Sequence, residues 1–437
     1  MRRAVAFLLV LVLVAGTALA SGGGESTKAG PKTVKFMTWF TQGEENQLLD
    51  KFRQENPNIK VEVEAIDGSK YREILKARIT AGDLPDVVTT FQTEVEFLMR
   101  EGWALEVTNE PSVKLLDKAP GVKEFLTYKG GKIYSFPHDG GAGSGYMYYN
   151  KLIFKKVGLP IPYQPATLAA FEADLEKIKK AGYEPMLLGA KDLWVPGMIA
   201  GQWFESQQIG TVAKANGGKV MDPAEAVYKG VTKWSDIYRF AFEGMRNWWD
   251  KGYISKNSRS MTWPESFAAF ADGSVAIFPQ GPWVPGMDQA TKADPAKLDL
   301  GCFALPQQSV DGKYYITAGI GKVIMINAKT KQLEGAKILF NWLCDEKNLA
   351  YWLNYRKNPS FVLPVAGYSP APIFAEWDKF TRSTNPTVLT FSFPNAPGFD
   401  VGKAVSDMFA GAAPEEALKS LDAFYVEHKG EIKIPEK

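Results

Sequence analysis

The chain has 437 residues, of which 45% are hydrophobic and 23% charged, with 51 Lys+Arg against 49 Asp+Glu. That length exceeds what one core usually organises, so two domains are expected, and the composition excludes extended disorder. The near-zero balance supplies no field toward nucleic acid or an anionic membrane, and two His cannot build a zinc site on several histidines.

The first element is an export signal. Met1-Arg2-Arg3 is a basic start, 4–15 is an apolar run, and Ala18-Leu19-Ala20 fits small-x-small cleavage. A signal peptide over 1–20, a mature start near Ser21 and a flexible Gly- and Ser-rich leader over 21–32 are expected. The apolar run is short for a membrane span of about 20 residues. Loss of Arg2 and Arg3 lowers Lys+Arg from 51 to 49, equal to Asp+Glu. No Cys follows the cleavage site, so no lipid anchor is expected, and the periplasm is the expected location.

Residues 34–38 read as a strand, and 44–55 as a helix with Leu48, Leu49 and Phe52 at helical spacing. The stretch 59–65 alternates as a strand. Tyr71, Ile74, Leu75 and Arg78 mark a helix that Gly82 ends, and 86–90 is a third strand. Strand-helix-strand-helix-strand with short links predicts a parallel sheet. Ligands of such sheets bind beyond the carboxyl ends of the strands, so the loops after Thr38 and Thr90 are candidate site walls. Further on, 171–180, 237–251 and 261–270 read as helices, 275–278 as a strand and 316–326 as a Gly-containing strand pair. Helices follow at 333–344, 399–409 and 414–424. There is no internal repeat and no long polar linker, so the chain is expected to cross between its domains more than once. Cys302 lies in a strand-like run and Cys344 on an apolar helix. Two buried thiols are expected, with a disulfide as the alternative open to an exported chain.

Motifs of catalysis are missing. There is no P-loop, and the run Gly140-Gly141-Ala142-Gly143-Ser144-Gly145 lacks the dinucleotide spacing. G-x-S-x-G, H-E-x-x-H, C-x-x-C and the EF-hand spacing do not occur. The pairs Glu44-Glu45 and Glu415-Glu416 suit helix N-termini. No cofactor, no metal and no enzymatic activity are expected. Two carboxylates flanking a glycosidic bond would be the exception, and spacing alone does not exclude them.

A larger pattern unites these blocks. Thr33-Val34-Lys35-Phe36-Met37-Thr38-Trp39 precedes a Glu-containing helix, Pro57-Asn58-Ile59-Lys60-Val61, and then Ala81-Gly82-Asp83-Leu84-Pro85-Asp86-Val87-Val88. Ile133-Tyr134-Ser135-Phe136-Pro137, Tyr148-Tyr149-Asn150-Lys151, Gly158-Leu159-Pro160, Gly281-Pro282-Trp283 and Pro414-Glu415-Glu416-Ala417-Leu418 follow in order. This order resembles the family 1 extracellular solute-binding proteins of ATP-binding-cassette importers, the group that includes maltose-binding protein. The likeness covers essentially the whole mature chain. One departure is Pro165-Ala166-Thr167-Leu168, where the family often has Pro-x-Thr-Trp, so no Trp is carried over there.

The resemblance implies an α/β periplasmic-binding-protein fold of two lobes, with crossing hinge strands and a ligand cleft between the lobes. It places lobe one at 33–142 plus 314–358 and lobe two at 143–313 plus 359–430. It implies a receptor that takes a sugar, monosaccharide or oligosaccharide, to the membrane permease subunits of an importer. A monomer with no nucleic-acid partner is expected.

A sugar offers an apolar C–H face and a rim of hydroxyls, which call for aromatic rings and planar polar groups. Trp283 aligns with a Trp that stacks on sugar in the family. Trp39 follows the first strand, and Trp194 and Trp203 lie in a segment that lines the cleft in relatives. Gln42 and Glu44 follow the first strand, and Gln92 and Glu94 the third. His138 and Asp139 sit beside a crossing, Asp86 is family-typical, and Asn395 and Phe399 lie in a late loop. Trp248-Trp249 reads as packing. The Tyr148-Tyr149 pair admits ferric iron as a minor alternative. Competing functions are a binder of a polyamine or peptide, an exported carbohydrate-active enzyme, and a sensor docking on a chemoreceptor.

Overall fold

A computed structural model describes residues 32–39, 42–66, 70–138, 145–317, 320, 322–357, 363–383, 387–390, 396 and 399–428, with backbone alone at 42–46, 93, 382–383 and 387–390. The expected signal peptide and nearly all of the leader lie outside the described residues.

Strand β1 (Lys32–Thr38) lies between β2 (Ile59–Ala65) and β3 (Val87–Phe91), parallel to both. Side chains alternate across a strand, so Val34 and Phe36 enter a core with Leu48, Leu49 and Phe52, while Met37 joins Tyr71, Leu75 and Leu98 on the opposite face. Helices cover both faces, which is why Val87 and Val88 are both buried in sequence. Strand β4 (Phe136–Pro137) forms the far edge.

The second sheet contains β5 (Tyr146–Asn150), β6 (Glu184–Met186), β7 (Val275–Pro279) and β8 (Leu300–Ala304), in the order β6-β7-β5-β8. Strands β6 and β7 run parallel, and β5 runs antiparallel to β7 and β8. Next come β9 (Tyr314–Thr317), β10 (Lys322–Ile326) and, later, β11 (Thr387–Thr390). The expected strand pair over 316–326 is not a pair. Strand β10 inserts antiparallel between β3 and β4, whereas β9 pairs with β11. The reason is packing: Ile324 and Ile326 join the first core, and Tyr314 and Ile316 join a core of the second lobe.

Among the described residues the chain therefore builds two lobes and passes between them three times. The passages lie between His138 and Gly145, between Thr317 and Ile320, and between Tyr368 and Ala371. Leu363, Val365 and Tyr368, expected in lobe two, pack on the first core, and Ala371 and Phe374 on the second. Cys302 and Cys344 are buried, unpaired and in the cores of different lobes. Burial pushes both thiols up from their ordinary pKa.

Candidate ligand cleft

Two of the passages leave from the strand ends that matter for binding. Lys322, which opens β10, is paired with Phe91, which closes β3. Tyr146, which opens β5, is paired with Ala304 at the close of β8, and Met147 with Pro279 at the close of β7. The carboxyl edges of both sheets thus border the same crossings. The cleft lies between these edges, where open α/β sheets bind ligands.

On the lobe-one edge, Trp39 follows β1. Its ring stacks on Phe91 at 4.7 Å and 11°, and meets Tyr71 edge-on at 4.6 Å. The Arg72 guanidinium lies 4.4 Å from the Phe91 ring centre, and the Lys322 ammonium 5.4 Å from that of Trp39. Arg72 also pairs with Glu94 at 3.1 Å, and Glu94 accepts a hydrogen bond from Thr90 at 2.9 Å. Planar groups in layers hold one another rigid, at about 0.5–1.5 kcal/mol per aromatic pair beyond burial. Of this edge, sequence reasoning names Trp39, Gln92 and Glu94 as candidate ligand groups, while Arg72, Phe91 and Lys322 join them only in the structure. Arg72 sits on a helix whose signal is its apolar face, and Lys322 needs β10 to be placed beside β3.

On the lobe-two edge, Trp194 follows β6 and Trp283 follows β7. Trp194 lies 6.4 Å from Trp283 and 6.1 Å from Trp263, tilted by 53° and 50°. Trp263 opens the helix Trp263–Ala271, whose Phe267 and Phe270 rings stack on Phe278 of β7 at 5.2 and 5.3 Å. Sequence reasoning absorbs Trp263 into the helix over 261–270 and does not name it beside Trp194. Its position at the helix start, just after the capping Thr262, is the signal that could have found it.

The remaining expectations divide. Trp203 is core: it is 2% exposed, its indole donates to the Tyr146 carbonyl at 2.9 Å, and it lines an apolar cavity of about 10 Å³. That volume holds about one water, no ligand. Asp86 lies at the opening end of β3, away from the cleft. Its carboxylate accepts from the Lys35 amide at 2.8 Å and from Thr330, so it caps the strand entry. Gln92 sits at the cleft edge but is buried between Tyr128 and Ser135, donating to one at 3.2 Å and accepting from the other at 2.9 Å. His138 is buried and stacks on Trp352 at 5.9 Å. Phe399 is half-buried, packing edge-on to Phe424 at 5.7 Å. The side chains of Gln42 and Glu44, and all of Asp139 and Asn395, lie outside the described residues. Trp248 and Trp249 pack, as expected, the latter stacking on Phe409 at 4.3 Å.

The tyrosine pair is committed to the second lobe. The Tyr148 hydroxyl donates to the Gly281 carbonyl at 3.0 Å, and the Tyr149 hydroxyl accepts from the Tyr163 amide at 3.1 Å. Burial pushes both phenols up from their ordinary pKa, which disfavours the phenolate that iron needs.

The lobes also touch beside the cleft. The helix Glu346–Arg356 of lobe one ends with the Arg356 carbonyl against the turn Val284–Gly286 of lobe two, where a Cβ on Gly286 would overlap it.

Two α/β lobes joined by three passages, with aromatic groups on both facing edges, define a cleft-binding protein of the solute-receptor class. The chain belongs to the bacterial extracellular solute-binding proteins, whose family description matches residues 41–350. The multiple sugar-binding protein of Streptococcus mutans is 24% identical over 379 residues, 84% of each chain. A solved chitin oligosaccharide binding protein superposes with a TM-score of 0.73 at 22% identity, covering 92% of this chain and all of that one. A solute-binding protein in complex with raffinose gives a TM-score of 0.70 at 20% identity, over 91% and 99%.

Proposed function

We propose that this chain is an extracytoplasmic receptor that captures a sugar between its lobes and delivers it to the permease of an ATP-binding-cassette importer, without chemistry of its own. The observation that carries this reading is the set of indoles at the closing ends of β6 and β7, opposite the Trp39 edge of lobe one. Aromatic faces suit the C–H face of a sugar. The relatives named for several sugars, for chitin oligosaccharides and for raffinose support the same class. We place Trp39, Trp194 and Trp283 against the sugar rings, with Gln42, Glu44, Asp139 and Asn395 as the polar partners. Arg72 and Lys322 at the lobe-one edge disfavour a polyamine.

In this reading the receptor is a monomer in the periplasm, cleaved near Ala20 and without a lipid. Lobe one comprises the first core's segments from Lys32 to His138 and from Ile320 to Tyr368; lobe two comprises Gly145 to Thr317 and the segments from Ala371 to His428. A ligand that touches both lobes favours the closed state and shifts the population toward it. Thermal shift over mono- and oligosaccharides, with chromatography of the incubated sugar and small-angle scattering, tests this. A cognate sugar should raise the melting temperature, leave the sugar intact and lower the radius of gyration. New sugar products would make the chain an enzyme, and unchanged scattering at saturation would remove the closing mechanism.

A further inference from the structure

The opening end of β6, remote from the cleft, borders a second hollow. Glu184 begins that strand, and beside it lies an open cavity of about 290 Å³ lined by Lys179, Tyr183, Glu184, Ile254, Lys256 and Asn257, among others. That volume is at the lower end of small-ligand sites, which run roughly 300–1,000 Å³.

Two anchored cations line this cavity. The Lys179 ammonium donates to the Lys251 carbonyl at 2.7 Å. The Lys256 ammonium donates to the Trp249 carbonyl at 2.6 Å and lies 3.9 Å from the centre of the Trp249 ring. Both cap the end of the helix Trp234–Asp250, a role that uses one N–H of each. An ammonium has three donors, so capping leaves two on each lysine. Neighbouring charges are paired with one another, Arg246 with Asp250 at 2.8 Å and Lys251 with Glu172 at 3.2 Å. Among the described residues, neither Lys179 nor Lys256 has a carboxylate within ion-pair distance. The acid on the wall, Glu184, accepts instead from the Asn257 amide at 3.2 Å. Burial holds the Lys256 ammonium below its ordinary pKa; Asp250 offsets this, and the Arg246 and Lys179 charges add to it. The cavity is thus locally positive on a chain whose overall balance is near zero. Cations fixed on backbone carbonyls lose little freedom when a ligand arrives.

We propose that this cavity is a second binding site, for a phosphate-sized oxyanion held by the Lys179 and Lys256 ammonium groups. Such an anion takes up the remaining donors in charge-assisted hydrogen bonds and relieves the repulsion between the two lysines. Free inorganic phosphate and the headgroup of an anionic lipid both present that group. Helix capping alone would leave the cavity indifferent to anions. The inference is independent of what the cleft binds.

Phosphorus NMR titration with inorganic phosphate, at an ionic strength held constant with chloride, reads the site directly. The parent should bind saturably, with Kd on the order of 1 mM. Lys179→Gln and Lys256→Gln should each weaken binding about fivefold or more, and Glu184→Gln should tighten it. If Lys256→Gln does not fold, Lys179→Gln and Glu184→Gln carry the test. Absence of saturable binding by the parent, or one Kd shared by all forms, overturns the site. Co-sedimentation with phosphatidylcholine vesicles, with and without phosphatidic acid, distinguishes the sources. Capture that requires phosphatidic acid and both lysines assigns the lipid headgroup. Saturable phosphate binding without capture assigns the free anion.

Discussion

The Trp283 indole lies across the backbone of Gly281, so closely that a Cβ at Gly281 would occupy the space of its six-membered ring. The Gly281 carbonyl is tied to the Tyr148 hydroxyl at 3.0 Å, so the turn cannot easily retreat. Gly281→Ala should therefore push the indole off its seat and weaken sugar binding about tenfold, roughly 1.4 kcal/mol, as Trp283→Ala should. Calorimetry on both variants checks this. Native affinity in Gly281→Ala would mean that the seat does not position the ring.

Gly286 provides clearance between the lobes. Its Cα faces the Arg356 carbonyl, with no room for a methyl group. Gly286→Ala should hold the lobes apart and lower affinity, because the closed state then loses population. Scattering should show a radius of gyration that stays high at sugar concentrations that close the parent. A normal closing response would show that the two segments separate easily.

The Glu205 carboxylate is 3% exposed and accepts the Thr317 amide at 3.1 Å and the Thr317 hydroxyl. It opens the helix Glu205–Ala215, where the dipole favours a negative charge. It thereby anchors the end of β9 just before the second passage. Glu205→Ala leaves those donors buried and should cost about 1–3 kcal/mol or more in urea unfolding. Glu205→Gln keeps one acceptor and should cost less. Equal stability of all three forms would refute the anchor.

Glu346 responds to acid. A hydrogen bond from the Lys118 ammonium at 2.7 Å, and one from the Ala366 amide at 3.0 Å, hold its carboxyl below the ordinary value. A depressed folded pKa stabilises above the unfolded value of about 4.3, and the gain is lost as pH falls through the folded value. The pair is at the surface, so the gain is about 1 kcal/mol at most. Glu346→Gln should lower the melting temperature at pH 7 and match the parent near pH 3. A difference that persists at pH 3 would point to packing instead of charge.

Much of this is legible from local pattern. The alternation over β1, β2 and β3, with helices between them, carries the parallel sheet and the expectation that ligand groups follow Thr38. Trp39 and Trp283 follow β1 and β7. Trp203 misleads as a cleft residue because a Trp in a cleft-lining segment looks the same in sequence whether its ring faces inward or outward. Only the partner, the Tyr146 carbonyl, distinguishes them. Asp86 misleads in another way: a family-typical acid before a strand caps its entry, at the end remote from the ligand.

By itself, the sequence determined element type and the need for more than one core, since these follow from nearest-neighbour periodicity, length and composition. Tertiary structure alone decided that β9 and β10 part into different lobes, that the third passage comes after Tyr368, and that Trp194, Trp263 and Trp283 meet. Those outcomes depend on contacts between residues tens to hundreds of positions apart. No local period encodes them, because burial against a distant core, and not the run of neighbouring residues, sets which face of each segment turns inward.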